Sequence, residues 1–357
     1  MKTNHIPNYK FHEISVFIGA NSTISITICI PTYRRPSFLK RAISSALNQT
    51  WKDIQIFISD DASHDETKSI LEQFVKEDSR VNFISHKQNV GMLANYQYMI
   101  GKVGTEYFSL LSDDDQLLPN FCEVAVKGLS RDPELAFFAC STIVYSQEKG
   151  ILKVSLNKWA REGRFDPPYG LCEMVTKYPF PMNVLFRTTR ARQAKIDMQN
   201  PHIWDPDFLM QLAAQFPFAI SKTICGIFSH HIGSLTSSQT SLVFIQAMNR
   251  LQERVDEFPK IDDLLKEKIK GLIKLDIARA LRAAIVESLL RKQFTEAKIY
   301  SDRFMDISTQ KWKVVSFSFL VKICSIVPFM SLFVLYLKQI QKFYRKRIRP
   351  IRLRDCR

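Results

Sequence analysis

The sequence predicts an α/β protein, a doubly wound and mostly parallel sheet followed by a C-terminal helical region. Three observations carry that prediction. Short β-branched runs alternate with stretches of helical periodicity, at the spacing of βαβ units, through the first 110 residues. The runs are apolar at nearly every position, as strands covered on both faces must be. From Ser241 to about Arg303 the period becomes helical throughout.

The elements follow in order. Residues 24–31, ISITICIP, read as the first strand and end at Pro31. A helix is predicted from Pro36 to Gln49, with Phe38, Leu39, Ala42, Ile43, Ala46 and Leu47 on one side. IQIFIS (54–59) is a second strand and Asp65 to Lys76 a second helix. VNFIS (81–85) is a third strand, with a helix from about Met92 to Ile100 behind it. EYFSLL (106–111) is a fourth strand, ending in Ser112 and three aspartates. LAFFACSTIVY (135–145) reads as a long strand, 157–183 as rich in loops, and NVLFR (183–187) as a short strand before a helix beginning near Pro206. Beyond it, Leu264, Leu265, Ile269, Leu272, Ile273 and Leu275 fall at helix spacing, as do Ala280, Leu281, Ala284 and Ile285. There is no repeat, low-complexity run or Gly/Ser linker. The organisation expected is an extension over 1–23, a sheet domain over 24–240 with halves 24–120 and 121–240, a helical region over 241–311, and apolar helices with a basic tail over 312–357.

The chain has 357 residues, 46% hydrophobic and 24% charged, which excludes a disordered or collagen-like protein. Its seven cysteines are dispersed with no CxxC. That excludes a disulfide scaffold and a local zinc ribbon, and it fits a reducing compartment. The formal net charge of +15 raises a nucleic-acid reading. Yet Lys338–Arg357 alone holds nine Lys/Arg and a single acid, more than half of the excess. A nucleic-acid binder would show basic–aromatic interleaving across the body, where charge is nearly balanced, so no nucleic-acid partner is expected. Immediately before the tail, Val314–Leu337 is apolar apart from Lys322, a few Ser and Pro328. Such a stretch is long enough to span a bilayer, but Lys322 and Pro328 divide it into arms more like interfacial helices. Followed by KQIQKFYRKRIRPIRLR, it fits attachment to an anionic leaflet at about 1 kcal/mol per basic residue near the surface. A buried helix pair with a solvated tail is the alternative, and whether 314–337 spans, lies on the membrane or is buried stays open. Residues 1–20 lack the apolar core of a signal peptide. The expected location is cytoplasmic, peripheral at the inner face of the cell membrane.

In a doubly wound sheet, ligands sit outside the carboxyl ends of the strands. Three of the strand ends here are polar: Pro31-Thr32-Tyr33-Arg34-Arg35, Asp60-Asp61-Ala62-Ser63, and Asp113-Asp114-Asp115. Aspartate-rich turns also arise from loop and capping chemistry alone. Three carboxylates in a row at the end of a buried strand repel one another, however, and call for a cation. Carboxylate oxygen suits a hard divalent ion, Mg²⁺ or Mn²⁺, which would in turn bridge to phosphate. GxGxxG and GxxxxGK[ST] are both absent, which excludes a dehydrogenase and a P-loop enzyme.

Taken together, ITICIPTYRRPSFLKRAISSALNQTW, IQIFISDDASHDET, NVGMLANY and EYFSLLSDDDQLLP resemble, in order, the nucleotide-sugar domain of family 2 glycosyltransferases. These are inverting enzymes of the GT-A fold, here of the bacterial surface-polysaccharide type. The similarity runs over roughly 25–120 and more weakly to about 240. It implies a Rossmann-like nucleotide half over 24–120, an acceptor half over 121–240, and transfer of a sugar from a nucleotide-diphosphate sugar, a UDP-sugar foremost, to a glycan or lipid-linked acceptor. By the same resemblance Pro31, Thr32, Tyr33, Asp60 and Asp61 hold the nucleotide, with Asn89 and Gly91 in the block after the third strand. Arg35 is either a phosphate contact or a solvated turn arginine. Asp113 and Asp115 match the aspartate–any–aspartate metal motif, and because Asp114 lies between them the register is ambiguous by one residue. The Mn²⁺ or Mg²⁺ would neutralise the leaving diphosphate. The acid expected at the start of an acceptor-side helix falls in WDPDFLMQLA, where Asp205 is the general base and Asp207 the alternative. Asp205 before Pro206 also reads as a helix N-cap. SHHIGSLT (229–236) resembles a late His-x-Gly-Ser element, making His231 a ligand to metal or diphosphate and Ser234 or Thr236 a phosphate contact.

Departures limit the transfer of roles. Ser229 stands where the family has Arg two residues before that His, and residues 145–205 carry no family-wide pattern. The QxxRW block of processive synthases is absent, which argues for addition of one sugar at a time. A sugar-nucleotide nucleotidyltransferase shares the sheet but needs a Gly-rich, basic first loop that PTYRRP lacks. A non-catalytic protein binding nucleic acid or membrane through the tail is the remaining alternative.

Overall fold

The computed structural model describes residues 26–231, 240–307 and 321–322. The expected N-terminal extension, the Ser234–Thr236 element and, Val321 and Lys322 excepted, the apolar segment and basic tail lie outside the described residues.

Strands β1 (Ile26–Thr32), β2 (Ile54–Asp60), β3 (Val81–Ser85) and β4 (Tyr107–Leu110) stand side by side in the order β3-β2-β1-β4, all parallel. Three helices, α1 (Pro36–Leu47), α2 (Thr67–Glu77) and α3 (Met92–Lys102), make the crossovers. Alternation along β1 assigns the faces. Ile26, Ile28 and Ile30 pack with Leu39, Ala42 and Ile43 of α1 on one side, and Cys29 packs with Leu93, Tyr96 and Met99 of α3 on the other. Neither face of the sheet is left to water, which is why these strands are apolar at almost every position.

After β4 come a short β5 (Gln116–Leu117), α4 (Phe121–Leu129), β6 (Phe137–Ser146), β7 (Gly150–Val154), β8 (Gly163–Phe165), α5 (Tyr169–Lys177), a 3-10 turn over Pro181–Asn183, β9 (Val184–Arg187) and α6 (Thr188–Ala191). α7 (Trp204–Gln215) and the long β10 (Phe218–His230) follow. The sheet continues β4-β9-β6-β10-β5. β6 and β10 keep the common direction, while β5, β7, β8 and β9 run against their neighbours. The stretch 157–183, expected as loop, instead holds β8 and α5. Its helix buries Leu171, Met174 and Val175 beneath an aromatic stack of Phe137, Phe165 and Phe218.

α8 (Ser241–Arg254), α9 (Asp263–Leu290) and α10 (Phe294–Ile307) complete the described chain. α9 buries Ile269, Ile273, Ile277, Leu281, Ala284 and Ile285, a stripe at three- and four-residue intervals. Ile245, Met248 and Leu251 of α8 and the α9 stripe belong to the same core as Phe208 and Leu212 of α7. The change of texture near residue 240 is thus no separation of cores. Among the described residues no helix is long and apolar enough to cross a membrane.

Candidate active site

The carboxyl ends of β1, β2 and β4 converge on a cavity of about 730 Å³. Pro31, Thr32, Tyr33, Arg35, Asp61, Asn89, Gly91 and Asp113–Asp115 line one side, and Tyr178, Phe180, His202, Trp204, Asp205, Phe228 and Phe244 line another. Two segments at opposite ends of the sheet domain therefore share one space.

The first loop is built by backbone necessity. Arg34 takes a left-handed φ of 53°, and its N–H donates to Ser63 Oγ at 2.8 Å, tying the end of β1 to the end of β2. Beside it, Thr32 Oγ1 donates to Asp113 Oδ2 at 2.8 Å. Arg35 Nη1 lies between two carboxylates, 3.2 Å from Asp113 Oδ1 and 2.9 Å from Asp114 Oδ2. The 32% exposure of the Arg35 side chain and its two ionic partners dispose of the solvated-turn reading.

The aspartate triplet divides its work. Asp113 and Asp114 turn toward Arg35, while His231 Nε2 lies 3.0 Å from Asp114 Oδ2, its ring stacked on Phe38 at 4.8 Å. Asp115 accepts the Ser229 N–H at 2.8 Å, pinning β10 to the loop after β4. Burial pushes the Asp113 carboxyl up to about 6 despite Arg35. Asp115 is also raised, by burial first and then by the Asp114 charge. Burial thus disfavours the charged form of both acids, and a cation bound beside them would favour it. Among the described residues no three His, Cys, Asp or Glu side chains converge to hold a metal ion. The donor chemistry of Asp113, Asp114 and His231 nonetheless fits a hard divalent ion, and the guanidinium between the two aspartates stands where a cation is called for.

The Asp60–Asp61 pair separates. Asp60 is not among the residues lining the cavity and accepts the Ser63 N–H at 3.2 Å and Ser63 Oγ–H at 2.5 Å, so it holds the turn after β2. Asp61 does line the cavity, and its two oxygens accept the N–H groups of Val90 and Gly91 at 2.7 and 3.0 Å. Gly91 permits this bend because its φ is +88° with ψ 154°, a conformation that strains any residue with a Cβ. Asn89 Nδ2 donates to the Asp61 carbonyl at 3.3 Å, so Asn89 and Gly91, in the block after the third strand, meet the turn after β2.

Asp205 and Asp207 also part company. α7 begins at Trp204, with Ile203 at the N-cap position and no side-chain cap. Asp205 is therefore inside the first turn and not the cap, a place the helix dipole favours for an acid. It lines the cavity, and burial raises its carboxyl to about 7. Asp207, the alternative base, is fully buried, is absent from the cavity wall, and pairs with Arg254 at 2.9 Å. Its role is structural.

Sequence reasoning missed the aromatic side of the cavity. Trp204 packs on Tyr96 at 4.5 Å and Phe228 on Phe180 at 4.6 Å. His202 Nδ1 is buried without a hydrogen-bond partner. Only the aromatic density of 178–180 and 202–204 could have signalled these residues, and it is equally a core signature.

A mostly parallel sheet with polar strand ends opening on one cavity is a nucleotide-binding architecture, and the comparisons with known proteins say which class it belongs to. Residues 27–191 match the family model Glycosyl transferase family 2, and this stretch is a glycosyltransferase domain of that family. An uncharacterized glycosyltransferase of Haemophilus influenzae is 24% identical over 65% of this chain and 71% of its own length. The GalNAc(5)-diNAcBac-PP-undecaprenol β-1,3-glucosyltransferase of Campylobacter jejuni is 35% identical, but over 26% of this chain and 30% of its own length. Among solved structures, S. aureus TarS 1-349 in complex with UDP-GlcNAc superposes with a TM-score of 0.62 at 11% identity, covering 84% of this chain and 91% of that one. At that identity the likeness concerns the fold.

Proposed function

We propose that this enzyme transfers a sugar with inversion from a nucleotide-diphosphate sugar, a UDP-sugar foremost, to a glycan or lipid-linked acceptor in cell-surface polysaccharide synthesis. The observation that carries the reading is the shared cavity, whose lining includes both the Asp113–Asp115 triplet and Asp205. A single displacement needs one base on the acceptor side, and a carboxyl near pKa 7 is poised to accept a hydroxyl proton at neutral pH. The relatives support the substrate class, since one is named for a lipid-linked glycan acceptor and the TarS complex contains UDP-GlcNAc.

In this reading Tyr33 covers the base and Asp61, Asn89 and Gly91 shape its pocket. Thr32 and Arg35 orient Asp113 and Asp114. Asp113 and Asp115, with Asp114 as the alternative one residue away, and His231 would hold Mn²⁺ or Mg²⁺ together with the donor diphosphate. When bound, the ion neutralises charge gathering on the departing nucleotide. A mannosyltransferase of Pyrobaculum calidifontis, 12% identical with a TM-score of 0.50, is a complex with GDP-Man and Mn²⁺. The apolar segment and basic tail would place the enzyme at the inner, anionic membrane surface.

The test is a donor screen of the purified chain, following nucleoside diphosphate release with and without Mn²⁺ and assigning the product anomer by NMR. Release that requires Mn²⁺ and yields the inverted anomer supports the reading. Retention of configuration, or full turnover in chelator, refutes it.

A further inference from the structure

We infer, resting on the proposed transferase reading, that Arg35 is a built-in counter-cation, which competes with the divalent ion for Asp113 and Asp114 and, once displaced, pairs with the donor diphosphate. Ion and nucleotide then reinforce each other's binding. The chain holds Arg35 on a fixed backbone. On one side Arg34 has a left-handed φ and donates from its N–H to Ser63 Oγ at 2.8 Å and from Nε to the Ser63 carbonyl at 3.3 Å. On the other, Pro36 opens α1, with Arg35 at the N-cap position and its side chain not used as a cap. The side chain is the part with freedom to turn. It lines the cavity and is 32% exposed, whereas the two acids it meets are at 7% and 11%.

Both contacts with those acids are made by one nitrogen, Nη1, at 3.2 Å from Asp113 Oδ1 and 2.9 Å from Asp114 Oδ2. A guanidinium grips a carboxylate hardest through two parallel N–H bonds, and one nitrogen divided between two acids forgoes that fork. The oxygens it engages are the ones a hard cation takes. Asp113 belongs to one register of the aspartate motif and Asp114 to the other, so in either one Nη1 holds an oxygen that the ion needs. Asp114 Oδ2 is also the atom 3.0 Å from His231 Nε2, so the candidate ligands gather around the guanidinium itself. Two cations at contact distance on one oxygen repel, and one must leave. Taking up the ion therefore costs Arg35 its acids. A diphosphate restores what it loses, since a guanidinium suits phosphoryl oxygens as well as carboxylates. The ion binds weakly alone and tightly with the nucleotide, and by linkage the nucleotide gains as much from the ion.

The experiment titrates Mn²⁺ into the full chain without nucleotide, reading unbound ion by electron paramagnetic resonance, for wild type, Arg35→Met, Arg35→Gln and Arg35→Lys. UDP and uridine affinities are then measured by calorimetry in saturating Mn²⁺ and in chelator. The two neutral variants should bind Mn²⁺ alone about tenfold more tightly than wild type, while Arg35→Lys, which keeps the charge, should stay near it. In wild type Mn²⁺ should tighten UDP and leave uridine unchanged, and in the neutral variants its effect on UDP should shrink about tenfold. A residue that merely orients the aspartates gives the opposite sign. Mn²⁺ binding that is weakened or unchanged in both neutral variants overturns the exchange, as does an undiminished effect of Mn²⁺ on their UDP affinity. Mn²⁺ uptake by none of the four proteins, with or without UDP, would bring down the metal part of the transferase reading and the exchange with it. Failure of UDP to bind would count against the donor reading, and the sign of the Mn²⁺ shift still decides the role of Arg35.

Discussion

Arg254 Nε donates to Asp207 Oδ2 at 2.9 Å, joining α8 to the first turn of α7. The segment leading into α7 is tied to the same helix, since Arg250 of α8 makes two hydrogen bonds to Asp197, at 2.5 and 2.9 Å, and Asn200 Nδ2 donates to the Ala247 carbonyl at 3.0 Å. The segment carrying His202 and leading into Asp205 is therefore held against α8 at both ends. All of this lies beyond residue 191, where the family match ends. The helix after the sheet domain is part of what fixes the candidate base, and its Phe244 reaches the cavity wall itself.

Breaking that tie should cost stability. Arg254→Met leaves the Asp207 carboxylate buried at 0% exposure with only Gln211 to donate to it. Removing one partner of a buried ion pair costs roughly 3–5 kcal/mol, whereas replacing both with apolar groups is often neutral. Urea denaturation should show the single variant weakened by about that amount and Arg254→Met/Asp207→Leu largely restored. A double variant as unstable as the single one would show that the charge pair is not what holds the helices.

Asp205→Asn separates chemistry from binding. We expect kcat to fall by about 10²–10⁴, the range for loss of a general base, with UDP affinity unchanged. The wild-type rate should fall tenfold per pH unit below an apparent pKa near 7, and level off above it. The sign for stability follows from the same shift. The folded pKa is raised above the ordinary aspartate value of 3.8, so the fold favours the protonated form. That stabilisation is complete below about 3.8 and is lost as pH rises through 7. Thermal melts should thus place Asp205→Asn above wild type at pH 8 and level with it at pH 4.

The nucleotide half was legible because its information is local. β-branched runs, helical faces and three polar strand ends lie within 120 residues, and β3 (Val81–Ser85) falls on the residues its pattern predicts. In the acceptor half the strands expected over 135–145 and 183–187 and the helix near Pro206 are present, but their pairing was not legible, for a physical reason. β9 (Val184–Arg187) inserts antiparallel between β4 and β6, and β10 reaches β6 only through register shifts near Ile224 and Gly226. Such pairings depend on distant partners, and no short pattern encodes them. Adjacent acids posed a second difficulty. Asp60 and Asp61, like Asp205 and Asp207, are chemically alike in the sequence and separate only when backbone direction sends one to Ser63 or Arg254 and the other to the cavity.

Gly91→Ala should weaken nucleotide binding without any steric clash. Nothing lies within 4 Å of a Cβ built there, so the penalty is confined to the backbone, whose φ is +88°. Holding a residue with a Cβ in that region costs of order 1–3 kcal/mol. The bend would relax and pull the Val90 and Gly91 N–H groups from Asp61. Calorimetry should record weaker UDP binding by the variant; an unchanged affinity would remove the loop from the nucleotide pocket.

The aspartate triplet offers the sharpest contrast, because its members differ in what they hold. Asp113→Asn removes a buried charge and keeps an oxygen for Arg35, while the Thr32 hydroxyl can turn to accept from the new amide N–H, so the protein should fold normally. Transfer and Mn²⁺-dependent UDP binding should be lost all the same, and chelation of wild type should reproduce that loss. Asp115→Asn likewise keeps an acceptor for the Ser229 N–H, whereas Asp115→Ala strands that donor beside a side chain only 2% exposed in wild type. An unsatisfied buried group costs about 1–3 kcal/mol, so Asp115→Ala should melt below Asp115→Asn. Equal melting temperatures for the two would mean that the bond to β10 contributes nothing. Undiminished transfer by Asp113→Asn in chelator would end the metal-assisted mechanism while leaving the fold and the Asp205 base in place.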